Sequence, residues 1–505
     1  MAAAGASAPG ADAGAVRALR EAFQRAGYTT DGVARLLGPV AHAALGRGET
    51  VPARRATTGG GPLETLVRLF LLQLPVPRAA AAAALPLDDG TALGVIGAAG
   101  TGEHVRALVD VRPYAEAGDD DGGWWVVSDL GTGLDGVSAP LRDDHVVGVG
   151  GASTTLAQLT VRNPVGSTLD VGTGSGVQAL HATRHSGRVV ATDISERALA
   201  MARLTAALSG VDVELRRGSL FEPVAGERFD LIVSNPPFVV SPGGRHTYRD
   251  SGLPLDEVCA RLVREAPGHL APGGTFQSLA NWVHVRGEDW QERVAGWLPA
   301  DGVDALVVQR EVQDPAEYVA LWLRDSGEEG GDDAGYLGYL RRYDEWLAAF
   351  EAARVEAVGF GTVSVRRIDG PSRRHLEEWP WAVEQPLGPH VDGWFDRRAW
   401  LARHDDAGLL GARLRVADDV VQEQTGPPGA EHPEHLVLRQ LGGYRRPFPC
   451  GTATAALVGA CDGRVTAGAL VEAVAAVLGE DPAQARTGLV ADLRTLVEWG
   501  LLAPV

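Results

Sequence analysis

Between residues 152 and 367, apolar strand-like runs alternate with stretches whose apolar residues recur at helical spacing, and this alternation restricts the fold more than any other feature. The strand candidates are 168–171, 188–193, 211–216, 229–234, 274–279, 303–310 and 362–367. Strands separated by helical stretches imply an α/β fold: a parallel, doubly wound, Rossmann-like sheet of seven strands. An acidic, Gly-rich stretch at 327–335 is expected as an exposed loop, followed by a helix carrying Tyr339, Tyr343, Trp346, Leu347 and Phe350 before the last strand.

The first strand runs into Leu169-Asp170-Val171-Gly172-Thr173-Gly174-Ser175-Gly176. Glycines at a strand-to-helix junction allow a tight turn and close approach of a ligand to the backbone. A Gly-rich turn alone is also what an ordinary strand-to-helix connection needs. A second acid changes the weighting: Asp193 ends the next strand, Val189-Val190-Ala191-Thr192-Asp193, where a carboxylate can accept both hydroxyls of a ribose.

Asn235-Pro236-Pro237-Phe238 follows the strand Phe229-Asp230-Leu231-Ile232-Val233-Ser234, at the carboxyl edge of the sheet where ligands bind in such folds. The Asn235 side-chain oxygen and the Pro236 carbonyl are two acceptors for the N–H groups of a planar nitrogen. The prolines stiffen the arrangement, and Phe238 can stack on a flat group. The plain alternative is a Pro-Pro turn ending a strand.

With Gly-x-Gly-x-Gly preceded by Asp170, Asp193 one strand later, and the Asn-Pro-Pro-Phe tetrapeptide, the chain resembles class I S-adenosylmethionine-dependent methyltransferases, over about residues 168–279. The resemblance implies S-adenosylmethionine as cofactor and S-adenosylhomocysteine as product. It places Asp170, Gly172, Thr173, Gly174 and Gly176 against the amino-acid part of the cofactor, Asp193 and Ile194 at the ribose, and Ser219 and Leu220 near the adenine. Many relatives carry an acid where Ser219 stands. Asn235, Pro236, Pro237 and Phe238 would hold the methyl acceptor.

The tetrapeptide is shared by protein-glutamine methyltransferases, release-factor-methylating enzymes among them, and by enzymes that methylate exocyclic amines of RNA or DNA bases. The longer match, 229–242, resembles the glutamine branch, although Phe238 stands where that branch usually has Tyr. The expected function is therefore N-methylation of a planar amide or amine nitrogen on a protein or peptide. The alternatives are methylation of an RNA guanine or adenine amine, with the N-terminal part gripping RNA, and a non-catalytic binding scaffold.

A chain of 505 residues exceeds a single core. The expected organisation is a disordered tail at 1–14, an N-terminal α+β substrate-recognition domain at 15–147, the methyltransferase domain at 148–370, an accessory segment and linker at 371–435, and a winged-helix-like module at 436–505. In the N-terminal part, Thr30 is expected to cap a second helix, the apolar 63–76 run to be a buried helix, and 105–111 with 124–128 to form a small sheet joined by an acidic turn at 118–123. In the C-terminal module, Thr466 is expected to cap one helix and Asp481-Pro482 to open another; its shortage of cations argues for a polypeptide partner over base reading.

A formal charge of −19 and a pI near 5.1 oppose phosphate-backbone binding. Cys259, Cys450 and Cys461 show neither metal-ligand spacing nor an even disulfide framework, so no metal is expected and a reducing, cytoplasmic location fits. With no export signal or apolar span in the sequence, no membrane association is expected. His181 and His185 have helical i,i+4 spacing but lack a third ligand, and His432 and His435 sit in a Pro/Glu-rich stretch; all are read as surface residues. Two segments are lid candidates: 148–153 over the cofactor, and 241–255, with His246, Tyr248, Arg249 and Asp250, over the acceptor.

Overall fold

The computed structural model describes residues 8–116, 123–131, 134, 142–241, 255–325, 333–429, 433–479 and 482–505. By internal contacts the chain forms two units, residues 1–157 with 163–379, and residues 158–162 with 380–505. The acidic stretches at 118–123 and 327–335 lie largely outside the described residues. So do His432 and most of the 241–255 segment, including His246, Tyr248, Arg249 and Asp250.

The first unit is built on a mixed sheet whose strands we number β1 (Val165–Val171), β2 (Ser186–Asp193), β3 (Glu214–Arg217), β4 (Phe229–Ser234), β5 (Leu270–Val285), β6 (Asp301–Gln313), β7 (Val355–Pro371) and β8 (Arg373–Glu378). Their order across the sheet is β8-β6-β7-β5-β4-β1-β2-β3. Strands β3, β2, β1, β4 and β5 pair in parallel, as expected.

Two expectations are corrected here. The sheet has eight strands, not seven, because β8 adds itself in parallel to the outer side of β6. It is also not wholly parallel: β7 runs antiparallel to both β5 and β6. The connection from β6 explains this. It contains two helices, α5 (Pro315–Asp325) and α6 (Asp333–Ala352), so the chain returns to the edge it left, and the start of β7 lies beside the end of β6, with Gln313 opposite Val358. The earlier helices are α1 (Val177–Ala182), α2 (Glu196–Ser209), α3 (Glu257–Glu265) and α4 (Trp290–Ala295).

The N-terminal part does not stand apart as a domain ending at 147. Its hairpin, Asp110–Tyr114 with Trp124–Ser128, docks on α2: Val127 N–H donates to the Thr205 hydroxyl at 2.9 Å and Trp125 N–H to the Ser209 hydroxyl at 3.2 Å. Ala198, Met201, Leu204 and Leu208 of α2 join Leu19, Phe23, Phe70 and Val127 in one buried core. A fully buried Leu or Met contributes about 1.5–3 kcal/mol, so this face alone is a large share of a domain's net stability.

Several local expectations shift. The first helix, Ala13–Ala26, begins inside the expected tail, with the Asp12 carboxylate accepting from Ala15 N–H at 2.9 Å. Thr29, not Thr30, caps the second helix, accepting from Gly32 N–H at 3.0 Å. The 63–76 run is a short helix, Pro62–Leu66, that widens into a π-turn at Val67–Leu71. His181 is not a surface residue: it is buried, with its Nε2 2.8 Å from the Tyr114 hydroxyl.

The second unit packs Gly388–Arg403, Thr452–Ala460, Ala467–Leu478 and Pro482–Trp499 with a sheet of Asp462–Thr466, Arg413–Val416 and Leu502–Pro504, in that order. Its core includes Leu409, Leu414, Leu457, Val471, Leu493, Leu496 and Leu501. The expected boundary at 436 therefore fails, since the central strand of this sheet, Arg413–Val416, lies in the segment read as linker. Thr466 stands at the helix start as expected, though its side chain makes no capping bond.

Candidate active site

At the end of β1 the chain reverses through Gly172 and Gly174, both left-handed with φ of 74° and 54°, a region where L side chains are strained. The turn is stapled to the neighbouring strand. Gly172 and Thr173 N–H both donate to the Thr192 carbonyl at 2.9 Å, and Gly174 N–H donates to Asp193 Oδ2 at 2.9 Å. Gly176 is absent from the cavity lining; it stands left-handed, with φ of 88°, at the start of α1, where a Cβ would lie in ordinary contact with Ala202 at 3.4 Å.

Asp170 is 1% exposed. Its Oδ2 accepts from the Thr173 hydroxyl at 2.6 Å and from Ala179 N–H at 3.2 Å, while Oδ1 has no hydrogen-bond partner among the described residues. Burial pushes this carboxyl up to about 7, against the downward pull of those two bonds. A buried oxygen left unbonded costs about 1–3 kcal/mol, which marks it as the place for a donor or cation.

Asp193 is arranged differently. Its Oδ1 accepts from Ser195 N–H at 2.8 Å and its Oδ2 from Gly174 N–H at 2.9 Å. Burial raises its carboxyl above the ordinary range and the two backbone bonds oppose that. Each oxygen keeps lone-pair capacity for a further donor. Beyond it, Gly218 N–H returns to the Asp193 carbonyl at 3.0 Å, and Leu220 sits at φ 46°, a strained value for a non-glycine residue held by its surroundings.

Asn235 and Phe238 are half-buried and Pro236 is buried. The Asn235 Oδ1 is also buried, with no hydrogen-bond partner among the described residues. Both of these orphan oxygens belong to residues lining one cavity of about 440 Å³. Asp170, Gly172, Thr173, Gly174, Asp193, Ile194, Ser219, Leu220, Asn235, Pro236, Pro237 and Phe238 all border it, so both halves of the expected site meet. Gly148 and 150–153 border it too, and Gln178 Nε2 pins that segment by donating to the Ser153 carbonyl at 2.8 Å.

The sequence reading missed Asp144, His145, Arg261 and Trp322, which also line the cavity. None carries a local signal, since they come from three separate parts of the chain: the 144–145 stretch, α3 and α5. The 144–146 stretch is held by a buried pair: Arg197 Nε donates to Asp129 Oδ2 at 3.0 Å, and the same oxygen accepts from Val146 N–H at 2.9 Å. Among the described residues, no group of three His, Cys, Asp or Glu side chains could hold a metal, and no helix is long and apolar enough to cross a membrane.

Comparison with known proteins bears on this geometry. Residues 148–288 match the family model described as the methyltransferase small domain. The chain carries a methyltransferase domain. Two further models, each described as a domain of unknown function, match residues 25–108 and 392–504.

The domain is similar to a ribosomal protein uL3 glutamine methyltransferase of Bradyrhizobium diazoefficiens, 37% identical over 182 residues, covering 33% of this chain and 56% of that protein. It is similar to a release factor glutamine methyltransferase of Deinococcus radiodurans, 44% identical over 144 residues, covering 26% of this chain and 50% of that one. It also resembles a ribosomal RNA small subunit methyltransferase C of Alcanivorax borkumensis, 34% identical over 116 residues, covering 23% and 32%. The chain thus spans between about a third and a little over half of the length of these relatives.

Proposed function

We propose that this methyltransferase domain moves the methyl group of S-adenosylmethionine to a planar amide nitrogen of a polypeptide. The observation that carries the reading is the Asn235 Oδ1, buried and without a hydrogen-bond partner among the described residues, on a residue of the cavity that Asp170 and Asp193 also line. The residues fit the cofactor: the orphan Asp170 oxygen suits its ammonium group, Asp193 can accept its two hydroxyls, and the cavity lies in the usual range for such ligands, about 300–1,000 Å³.

When bound, the cofactor supplies an electrophilic methyl on a sulfonium. The protein's part is placement. Asn235 Oδ1 accepts one N–H of the target and the Pro236 carbonyl is the second acceptor, which turns the nitrogen lone pair toward the methyl and stabilises positive charge as it develops. The N–C bond forms as the S–C bond breaks, sulfur keeps the electron pair, and the surplus proton leaves the nitrogen for solvent.

A polypeptide acceptor is favoured over RNA by the formal charge of −19, which opposes a phosphate backbone, and by the glutamine-branch match at 229–242. The test is transfer of labelled methyl from the cofactor to separated ribosomal protein and ribosomal RNA. We expect label that survives nuclease and is released by proteolysis as methylglutamine. Label released only as methylated nucleosides would move the assignment to a base amine, and none in either fraction would remove the polypeptide reading.

A pH dependence follows from Asp170. With its carboxyl near 7 in the free protein, a bound ammonium favours the ionised form, so binding releases a proton. Affinity for S-adenosylhomocysteine is expected to rise from pH 6 to pH 7.5, by up to about tenfold per unit below the carboxyl's value. Calorimetry with Asp170→Asn should show this rise abolished; an unchanged slope would place the ammonium elsewhere.

A further inference from the structure

Helix α5 meets the segment 238–240 at two points, through Tyr318 and Trp322, spaced one turn apart. Tyr318 is 0% exposed, and its hydroxyl accepts from Val240 N–H at 2.8 Å and from Asn281 Nδ2 at 3.2 Å. The backbone just beyond Phe238 is thereby tied to β5 and α5 together. One turn on, Trp322 lines the cavity and meets Phe238 edge-to-face, with ring centroids 6.2 Å apart and planes at 69°.

We propose that Trp322 is a specificity-determining residue of the acceptor subsite: it forms the aromatic wall that, with Phe238, receives the planar side chain whose nitrogen Asn235 holds. The proposal rests on reading Asn235–Phe238 as the acceptor site. Three observations converge on it. Trp322 borders the same cavity as Asn235. Its ring meets Phe238 at a steep angle, 69°, so the two rings form adjoining walls that are not stacked on each other. Tyr318, one turn before it on the same helix, ties α5 to the backbone two residues beyond Phe238 through the Val240 N–H, which restrains the two rings relative to each other.

A glutamine amide is flat and carries a short apolar stem, and two rings at a steep angle offer a face to the first and an edge to the second. The subsite therefore selects for a planar group on a flexible stem. Tyr318 does not touch the acceptor; it is a positioning residue acting through Val240.

The test uses the full chain with S-adenosylhomocysteine present and N-acetylglutamine methylamide as the probe, its binding followed by saturation-transfer NMR. Trp322→Leu is expected to weaken probe binding about fivefold, the scale of one aromatic contact, and Trp322→Phe to restore it to within twofold. Cofactor-product affinity should be unchanged in both, which shows that the fold is intact. Asn235→Ala serves as the comparator. Probe binding weakened by Asn235→Ala but untouched by Trp322→Leu overturns this inference alone. Probe binding indifferent to both, or absent from the unaltered chain, overturns the acceptor-site reading and this inference with it.

Discussion

Replacing Asn235 with Ala is expected to slow methyl transfer by about 10²–10³-fold, equivalent to about 2.7–4 kcal/mol of transition-state stabilisation, the scale seen when one preorganised polar group is removed from a site where charge develops. The reason lies in the buried Oδ1, which has no hydrogen-bond partner among the described residues and so has its accepting capacity free for the target N–H. Affinity for S-adenosylhomocysteine should stay within about threefold, because the adenosyl and amino-acid groups are assigned to Asp193 and Asp170. Initial rates with labelled cofactor, beside a calorimetric titration, separate the two effects. A rate within tenfold of the unaltered chain would mean that the acceptor nitrogen is held by something else.

The second large effect is expected at Asp193, where Asp193→Ala should weaken cofactor binding about 100-fold, or about 2.7 kcal/mol, from the loss of two charge-assisted hydrogen bonds to ribose hydroxyls. The same carboxylate holds Gly174 N–H and Ser195 N–H, so part of the loss comes from a loosened turn. Asp193→Asn separates the two contributions, since the amide oxygen still accepts one backbone bond without the charge. If Asn restores less than a few-fold of the affinity lost in Ala, the ribose bonds dominate; if it restores nearly all, the turn does. A loss below fivefold in Asp193→Ala would remove the ribose assignment.

How far the sequence carried the site depends on where each signal is stored. β4 was legible to the residue, because Phe229–Ser234 is a short apolar run closed by Asn-Pro-Pro, and prolines end a strand. β5 was seen only as 274–279 although it spans Leu270–Val285, since Pro272 and Gly273 near its start disguise a strand that bulges there. β8 was invisible: Arg373–Glu378 reads Arg-Arg-His-Leu-Glu-Glu, an edge strand with one apolar residue that only its neighbour β6 makes a strand. The central strand Arg413–Val416 of the second unit is four residues long with a single fully buried side chain, Leu414, too little for a period to register.

The residues proposed to hold the cofactor sit in a few short runs of sequence, and all but Gly176 border the cavity. At Gly176 it is the left-handed φ of 88° at the start of α1 that calls for a glycine. The acceptor half was read only on one side. Trp322 belongs to a helix far along the chain, and its apolar neighbours Tyr318, Val319 and Leu323 make it look like part of an ordinary buried face.

The sharing of α2 between two layers bears on how this protein can be cut. One face of that helix lies against β2 and β3, and its Ala198, Met201, Leu204 and Leu208 are buried in a core whose other members, Val146 apart, precede residue 131. A fragment starting at residue 148, where the matched family model begins, would carry that apolar stripe bare to water and leave Arg197 without the Asp129 carboxylate. The catalytic segment therefore has a recognisable start in sequence but no severable one in structure, and the first 130 residues act as the missing half of its surface.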